Sequence, residues 1–208
     1  MKKTIYVFCC ILLLGSCEQG ERELTGTDTL KEAYEKEFLV GVAINPRISS
    51  GQDSATRSLV IRQFNTITAE NALKAGPINP QPGVYNFGPA DDLIEFGEKH
   101  DMFIVGHTLV WHNQTPAWFF MDENGNPNRP EDQIERMRNH IETVAGRYSG
   151  RIHAWDVVNE VIADDGSYRP TSWVESIGSG EDVLPQAGRF DTVGNGVAGH
   201  AERVLQRE

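Results

Sequence analysis

Apolar segments of strand length alternate with helical segments along this chain. Four segments predict buried strands because they are short, continuous and rich in small and β-branched apolar residues. They cover residues 39–44, 65–69, 102–105 with an extension toward His107, and 152–158. Apolar residues at spacings of three and four predict helices over 30–38, 55–64, 90–100 and 131–148, the last preceded by Pro130. This order predicts an α/β fold, in which parallel strands are buried on both faces and joined by helical crossovers.

Polar side chains collect where these strands end. They are Glu70 and Asn71 after the second strand, His107, Trp111, His112, Asn113 and Gln114 after the third, and Asn159 and Glu160 after the fourth. In a (β/α)8 barrel the carboxyl ends of the strands form one mouth, and the chemistry collects there. A doubly wound sheet is the alternative, but the first strand runs into Asn45-Pro46 without a Gly-rich phosphate loop. We therefore predict a (β/α)8 TIM barrel with only the first four β/α units present, since a barrel needs eight strands and about 250 residues.

The stretch from Trp155 to Glu160 contains the strongest candidate for chemistry. Glycoside hydrolysis uses one carboxyl group to protonate the leaving oxygen and a second to attack or to activate water. The donor stays protonated near neutral pH when its surroundings are apolar, and valines lie on both sides of the Asn159-Glu160 pair. The neighbouring amide of Asn159 could hydrogen-bond a sugar hydroxyl. A structural or solvated acid is an equally common explanation for a lone glutamate at a strand end.

Glu70, Asn71 and Lys74 form a second candidate group. A carboxylate, an amide and an ammonium group together offer the acceptors and donors that bind a diol. The same residues are equally typical of an acidic helix N-terminus followed by a solvated lysine. The residues alone leave both interpretations open.

Aromatic and histidine side chains after the third strand form a third group. Trp111 and Trp118 flank Gln114, and tryptophan rings suit the apolar faces of sugars, although a core role is as common for any single tryptophan. His107 and His112 lie five residues apart across a turn, whereas a metal pair more typically has helical spacing or a third ligand nearby. We predict no metal and no other cofactor.

Together these segments closely resemble the family 10 glycoside hydrolases, the endo-β-1,4-xylanase family. The resemblance rests on three motifs in order and on one linking loop. They are Phe64-Asn-Thr-Ile-Thr-Ala-Glu-Asn71 with Lys74, Gly106-His-Thr-Leu-Val-Trp-His-Asn-Gln114, Trp155-Asp-Val-Val-Asn-Glu160, and the loop Pro82-Gly-Val-Tyr-Asn-Phe87. The similarity extends from about Leu30 to about Asp182.

This resemblance implies a retaining hydrolase that acts on internal bonds of xylan and has xylan or xylo-oligosaccharides as its partner. By position, Glu160 would be the general acid/base, and Asn159 would hold the 2-hydroxyl of the sugar being cleaved. His107 and Trp111 would line that same subsite. The next sugar on the non-reducing side would contact Glu70, Asn71 and Lys74, and Gln114 would support the mouth.

Two features depart from the family pattern. The nucleophile of the family is a glutamate on a late strand, in a context such as Thr-Glu-Leu-Asp, and no such segment follows Glu160. A retaining site needs two carboxyl groups about 5–5.5 Å apart, so we expect the isolated chain to be inactive. The resemblance also fades after Val183. We interpret residues 29–183 as the N-terminal half of a glycoside hydrolase barrel, and the Gly-rich residues 184–208 as a tail outside the family, disordered or produced by a frameshift.

Residues 1–17 have the features of an export signal. Two lysines precede an apolar run over 5–14 that is too short to span a bilayer stably. Small residues before Cys17 are similar to a bacterial lipoprotein signal, in which that cysteine is lipidated; an ordinary secretory signal peptide is the alternative. Cys17 and the other two cysteines all lie in this segment, so the remaining chain has no thiol. We expect an exported protein, tethered by the polar residues 18–28 and attached to the bacterial outer membrane or cell surface only through lipid on Cys17.

The composition argues against one class of partner but does not identify the function. The formal charge of −11 argues against nucleic acid as a partner, because phosphate binding needs clustered Lys and Arg. Three hypotheses remain: a lipid-anchored endo-xylanase represented by its N-terminal half, a surface polysaccharide-binding lipoprotein that has lost catalysis, and a related barrel hydrolase acting on β-glucan. A hydrolysis assay separates the first two, and a comparison of the two polymers tests the third.

Overall fold

The computed structural model describes residues 29–191 of the 208-residue chain. The predicted signal segment 1–17 with Cys17, the tether 18–28 and the final residues 192–208 lie outside the described part.

The described chain alternates strands and helices as the sequence pattern predicts. The strands are β1 (Gly41–Ile44), β2 (Thr66–Ala69), β3 (Phe103–Val110) and β4 (Ala154–Val158). The helices are α1 (Leu30–Ala33), α2 (Pro46–Ser49), α3 (Ser54–Gln63), α4 (Ala75–Ile78), α5 (Gly88–Lys99), α6 (Pro130–Arg147), α7 (Ser172–Ile177) and α8 (Gly180–Asp191), with a short 3₁₀ helix at Ala117–Phe119. None of these helices, all between residues 29 and 191, is long and apolar enough to cross a bilayer.

The four strands form one parallel sheet in the order β1-β2-β3-β4. Sequential order with a helical crossover between neighbours is the arrangement of the first half of a (β/α)8 barrel. In the described residues the sheet is open, with β1 and β4 at its two edges. The carboxyl ends of all four strands lie on one side, as the prediction of a common mouth requires.

The two faces of this sheet differ in burial. One face is packed against helices and includes Ile67, Ile104, Trp155 and Val157, all at most 5% exposed. The residues that alternate with them, such as Thr68, are only half buried. The expectation of strands buried on both faces is therefore wrong for the described residues, because the second face is the interior of a barrel whose sheet is not closed here.

Helices α5 and α6 supply most of the core that covers the outer face. Among their buried side chains, the following have the predicted spacings: Leu93, Ile94, Phe96, Met137, Ile141 and Val144. The ring of Trp155 on β4 also packs directly on the backbone of Gly106 in β3. A Cβ atom on Gly106 would lie 2.3 Å from that ring. The indole thus occupies the space above Gly106 and locks these two strands together.

Two predicted elements have different lengths in the structure. The helix expected over 30–38 ends at Ala33, and none of its residues is buried, so packing does not extend it. The third strand continues beyond the expected end to Val110. Its polar residues fit within a strand because Thr108 donates a hydrogen bond from Oγ1 to the carbonyl of Asp156, at 2.9 Å.

The C-terminal part of the described chain differs from the predicted boundary at Val183. Helix α8 continues to Asp191, and it places Val183 and Ala187 at 1% and 0% exposure in the core, in contact with α6 and β4. Residues 184–187 are therefore part of the packed domain and not of a separate tail. Pro185 and the following glycine obscured the helical pattern, yet Pro185 lies within the helix.

Candidate active site

Glu160 lies two residues beyond the end of β4, at the mouth of the sheet. Its carboxylate oxygen Oε2 accepts a hydrogen bond from the indole Nε1 of Trp111 at 3.1 Å. The backbone of Glu160 has φ of 55°, in the left-handed region that is unfavourable for a residue with a Cβ atom. This conformation separates its side chain from those of Val157 and Val161, which are both buried.

The surroundings of Glu160 are more polar than the sequence suggested. Its side chain is 47% exposed, and Nε2 of His112 lies 3.7 Å from Oε2. Of the flanking valines, Val157 and Val161 are buried, and Val158 and Val161 line a narrow crevice together with Glu160. The apolar setting expected for Glu160 is thus present in the crevice that it lines, but its carboxyl group is also open to solvent.

A chain of contacts connects the tip of β2 with Glu160. The ammonium group of Lys74 donates to Oδ1 of Asn71 at 3.1 Å and lies 4.7 Å from the ring centroid of Trp111. Lys74 is only 9% exposed, so the alternative of a solvated lysine is wrong. Trp111 completes the chain by bonding to Glu160. The candidate residues that follow β2, β3 and β4 are thus brought together.

His107 is held by a residue that the sequence analysis did not select. Its Nδ1 lies 2.9 Å from Oδ2 of Asp156 on β4, and the ring is 6.3 Å from that of Trp111. The peptide bond between His107 and Thr108 is cis. Strand alternation could have identified Asp156, because it lies on the half-buried inner face, between the buried residues Trp155 and Val157.

Glu70 and His107 line an open cleft of about 450 Å³ beside β1 and the carboxyl end of β2. Glu70 is exposed, and its backbone N–H donates to the carbonyl of Ile44 at 3.0 Å. Trp111 and Glu160 line a separate, narrow crevice beside Asn159. The ring of His107, which lines the first space, lies 6.3 Å from that of Trp111, which lines the second. A volume of several hundred Å³ at strand tips is suitable for a small oligomeric ligand.

Gln114 occupies a turn beyond β3. It has φ of 51°, and its carbonyl accepts a hydrogen bond from the N–H of Gly76 at 2.7 Å. A Cβ atom on Gly76 would lie 2.7 Å from that carbonyl oxygen, so only glycine permits this approach. The predicted supporting role of Gln114 is thus consistent with a backbone contact, while its side chain is exposed.

Trp118 and His112 are the remaining aromatic and histidine candidates. Trp118 stacks on Phe119 with centroids 4.0 Å apart and donates from Nε1 to the carbonyl of Asn79. Nδ1 of His112 is buried without a hydrogen-bond partner. Within residues 29–191, no group of three His, Cys, Asp or Glu side chains is arranged to hold a metal ion.

Arg169 and Trp173, which follow Glu160 in the sequence, also belong to the site and were not predicted from the sequence. Arg169 donates from Nε to the backbone carbonyl of Glu160 at 2.9 Å. Trp173, at the start of α7, donates from Nε1 to the carbonyl of Trp111 at 2.9 Å. Neither follows a strand, so the rule that selected the other candidates could not find them.

Parallel strands in sequential order, with an acid, an amide and tryptophan at their carboxyl ends, are features of the (β/α)8-barrel glycoside hydrolases. Comparison with known families makes this class specific. The sequence profile of Glycosyl hydrolase family 10 matches residues 29–191. The chain belongs to this family.

Individual relatives agree with the family match. The chain is 47% identical over 146 residues to an endo-1,4-beta-xylanase/feruloyl esterase of Xylanibacter ruminicola, which covers 70% of this chain and 20% of the relative. It is 40% identical over 162 residues to endo-1,4-beta-xylanase A of Halalkalibacterium halodurans, covering 73% of this chain and 40% of the relative. A solved mutant structure in complex with xylotriose has a TM-score of 0.75 and 35% identity, over 82% of this chain and 51% of that chain. The chain therefore spans between 20% and 51% of the length of these relatives.

Proposed function

We propose that this chain carries the acid/base half of an endo-β-1,4-xylanase site, with Glu160 as the group that protonates the glycosidic oxygen. The observation that supports this most is the continuous set of contacts from Asn71 through Lys74 and Trp111 to Glu160. It joins three strand ends on one side of the sheet. The relatives are xylanases, and one similar structure holds xylotriose.

In this proposal the xylan chain lies across the strand tips. Asn159 and His107 flank the sugar being cleaved, and the indole of Trp111 borders it while bonding to the acid. Glu70, Asn71 and Lys74 bind the hydroxyls of the next sugar, and the ammonium group of Lys74 is already oriented by Asn71. Gln114 supports the mouth through its backbone contact with Gly76.

The second carboxyl group that a retaining site needs is not among the contacts of Glu160 in the described residues. There, Glu160 is bonded to Trp111 and Arg169 and lies near His112. We therefore expect the 208-residue chain to bind xylo-oligosaccharides but not to hydrolyse xylan. Turnover that disappears in Glu160→Gln would refute the expected inactivity and would still support the role of the acid.

Titration calorimetry of the chain with xylotriose and cellotriose tests the binding part. We expect xylotriose to bind, and Lys74→Met to weaken it about tenfold, since a hydrogen bond to a charged group contributes about 1.5 kcal/mol. Lys99→Met is the matched control, because Lys99 is exposed at the end of α5. Tighter binding of cellotriose would favour a β-glucan substrate, and binding of neither sugar would contradict the proposal.

We also propose that the protein is exported and anchored through lipid on Cys17. The support is the lysine-rich start, the apolar run over 5–14 and the small residues before Cys17. Metabolic labelling with a radioactive fatty acid in a bacterial host would give a labelled, membrane-associated chain, and Cys17→Ser would remove the label. A labelled Cys17→Ser chain, or an unlabelled but exported parent chain, would contradict the anchor.

A further inference from the structure

The segment that follows Glu160 folds back onto it as a short hairpin over residues 161–169. Ile162 and Tyr168 pair as an antiparallel bridge, and the N–H of Arg169 donates to the carbonyl of Val161 at 2.8 Å. The turn is closed by Asp165, whose Oδ1 accepts from the N–H and hydroxyl of Ser167 at 2.9 and 2.6 Å. This hairpin returns the chain to the backbone of Glu160.

The guanidinium group of Arg169 then binds the peptide groups next to the acid. Nε donates to the carbonyl of Glu160 at 2.9 Å, and Nη2 lies 3.4 Å from the carbonyl of Ile162. A planar guanidinium group fixes two acceptors at once, which a lysine ammonium group on a flexible stem does less well. Asp164 adds little to this arrangement, because it is fully exposed and lies 4.0 Å from Nη2.

The backbone of Glu160 needs such support because of its left-handed conformation. A residue with a Cβ atom adopts φ of 55° only where surrounding contacts favour it. The bond from Arg169 fixes the direction of the Glu160 carbonyl, while Trp111 fixes the carboxylate. The two bonds hold the acid from opposite ends.

We propose that Arg169 is a positioning residue for Glu160, which holds the backbone of the acid so that its carboxylate meets the indole of Trp111. Arg169 acts through the peptide group of Glu160 and not on the sugar. The inference rests on the proposed role of Glu160, but it can be tested without any turnover of xylan.

The indole N–H of Trp111 provides the reporter for this test. The chain has four tryptophans, so the ¹⁵N-labelled chain gives four indole signals, which single Trp→Phe variants assign. Because Trp111 donates to Glu160, its signal is expected to shift when acid protonates that carboxylate. Glu160→Gln is expected to abolish this shift, which shows that the signal reports on the acid.

We expect Arg169→Met to lose the pH-dependent shift of the Trp111 indole while the other three indole signals keep their positions. Arg169→Lys is expected to restore part of it, since lysine can reach one of the two carbonyls. Arg151→Met is the matched control, because Arg151 has similar exposure and pairs with Glu98 away from the site; its Trp111 signal is expected to titrate as in the parent chain.

A full Trp111 titration in Arg169→Met, with thermal stability lowered as much as in Arg151→Met, would overturn the proposal and leave Arg169 a purely structural residue. If Arg169→Met does not fold, Arg169→Lys decides: an unchanged titration in that variant refutes the positioning role, and a reduced one supports it. Absence of xylotriose binding with an intact Arg169 effect would reject the proposed function while retaining the positioning role.

Discussion

The stability of this domain is expected to fall as the solution is acidified below about pH 6.5, because of His140. This side chain lies on α6, is 2% exposed, and packs edge-on against Phe119 with centroids 5.4 Å apart. The side-chain amide of Asn79 lies 3.5 Å from its Nδ1. Burial lowers the pKa of His140 from its usual 6.5 to about 4, and the backbone of Leu109 offsets only part of this.

The sign and size of the effect follow from proton binding. Above pH 6.5 the imidazole is neutral in both the folded and the unfolded chain. As the pH falls below 6.5, His140 binds a proton in the unfolded chain, whereas in the folded chain it stays neutral until about pH 4. The free energy of unfolding therefore decreases through this window, and the difference in pKa corresponds to about 3 kcal/mol at its lower end.

Urea denaturation between about pH 7 and pH 4.5, followed by circular dichroism, measures this slope. We expect His140→Gln to flatten most of it, because an amide takes up no proton. His100→Gln is the control: burial and then Arg57 lower the pKa of His100 in the same direction, but this side chain is only half buried. Equal slopes in the parent chain and His140→Gln, or a parent chain of constant stability, would refute the reasoning.

Three substitutions test the packing of the sheet and of α6. Gly106→Ala is expected to destabilise the domain by about 3 kcal/mol, because the added carbon would lie 2.3 Å from the ring of Trp155; an unchanged melting temperature would contradict this. Gly146→Ala, in α6 with open space around it, is expected to stabilise by about 0.5–1 kcal/mol in the same thermal assay, and a loss would count against a free position. Tyr148→Phe is expected to cost about 1.5 kcal/mol in urea denaturation, since its hydroxyl donates to Asp91 at 2.9 Å, and no loss would show that the bond contributes nothing.

The sequence predicted the elements whose stability comes from a repeated pattern. All four strands and the helices α3, α5 and α6 lie within a few residues of their predicted bounds, because each buries a regular apolar face. The parallel order follows from the crossovers and was confirmed by the pairing of neighbours. These elements determine where the strand tips lie, and so the residues at those tips could be selected from sequence alone.

Most of the elements that were missed are short, whereas the twelve-residue α8 contains Pro185, which obscured its helical pattern. Helix α2 has four residues and starts at the N-cap Asn45 with Pro46, and α7 has six residues with Thr171 as its cap. No apolar periodicity can appear over so few positions. The exposure of the Glu160 side chain could not be predicted for a related reason: its neighbours in sequence are apolar, but Glu160 has a left-handed backbone conformation that local composition does not encode.

The position of Glu160 therefore depends as much on the segment that follows it as on β4, the strand that precedes it. Trp111 holds the carboxylate and is itself held by Trp173 at the start of α7, through the bond from its indole to the Trp111 carbonyl. The hairpin that carries Arg169 is fixed at Tyr168, whose ring lies against Gly180 at the start of α8. Both supports of Glu160 thus lead to α7 and α8. Weakening the packing of these helices should loosen the acid while leaving β1 to β4 paired.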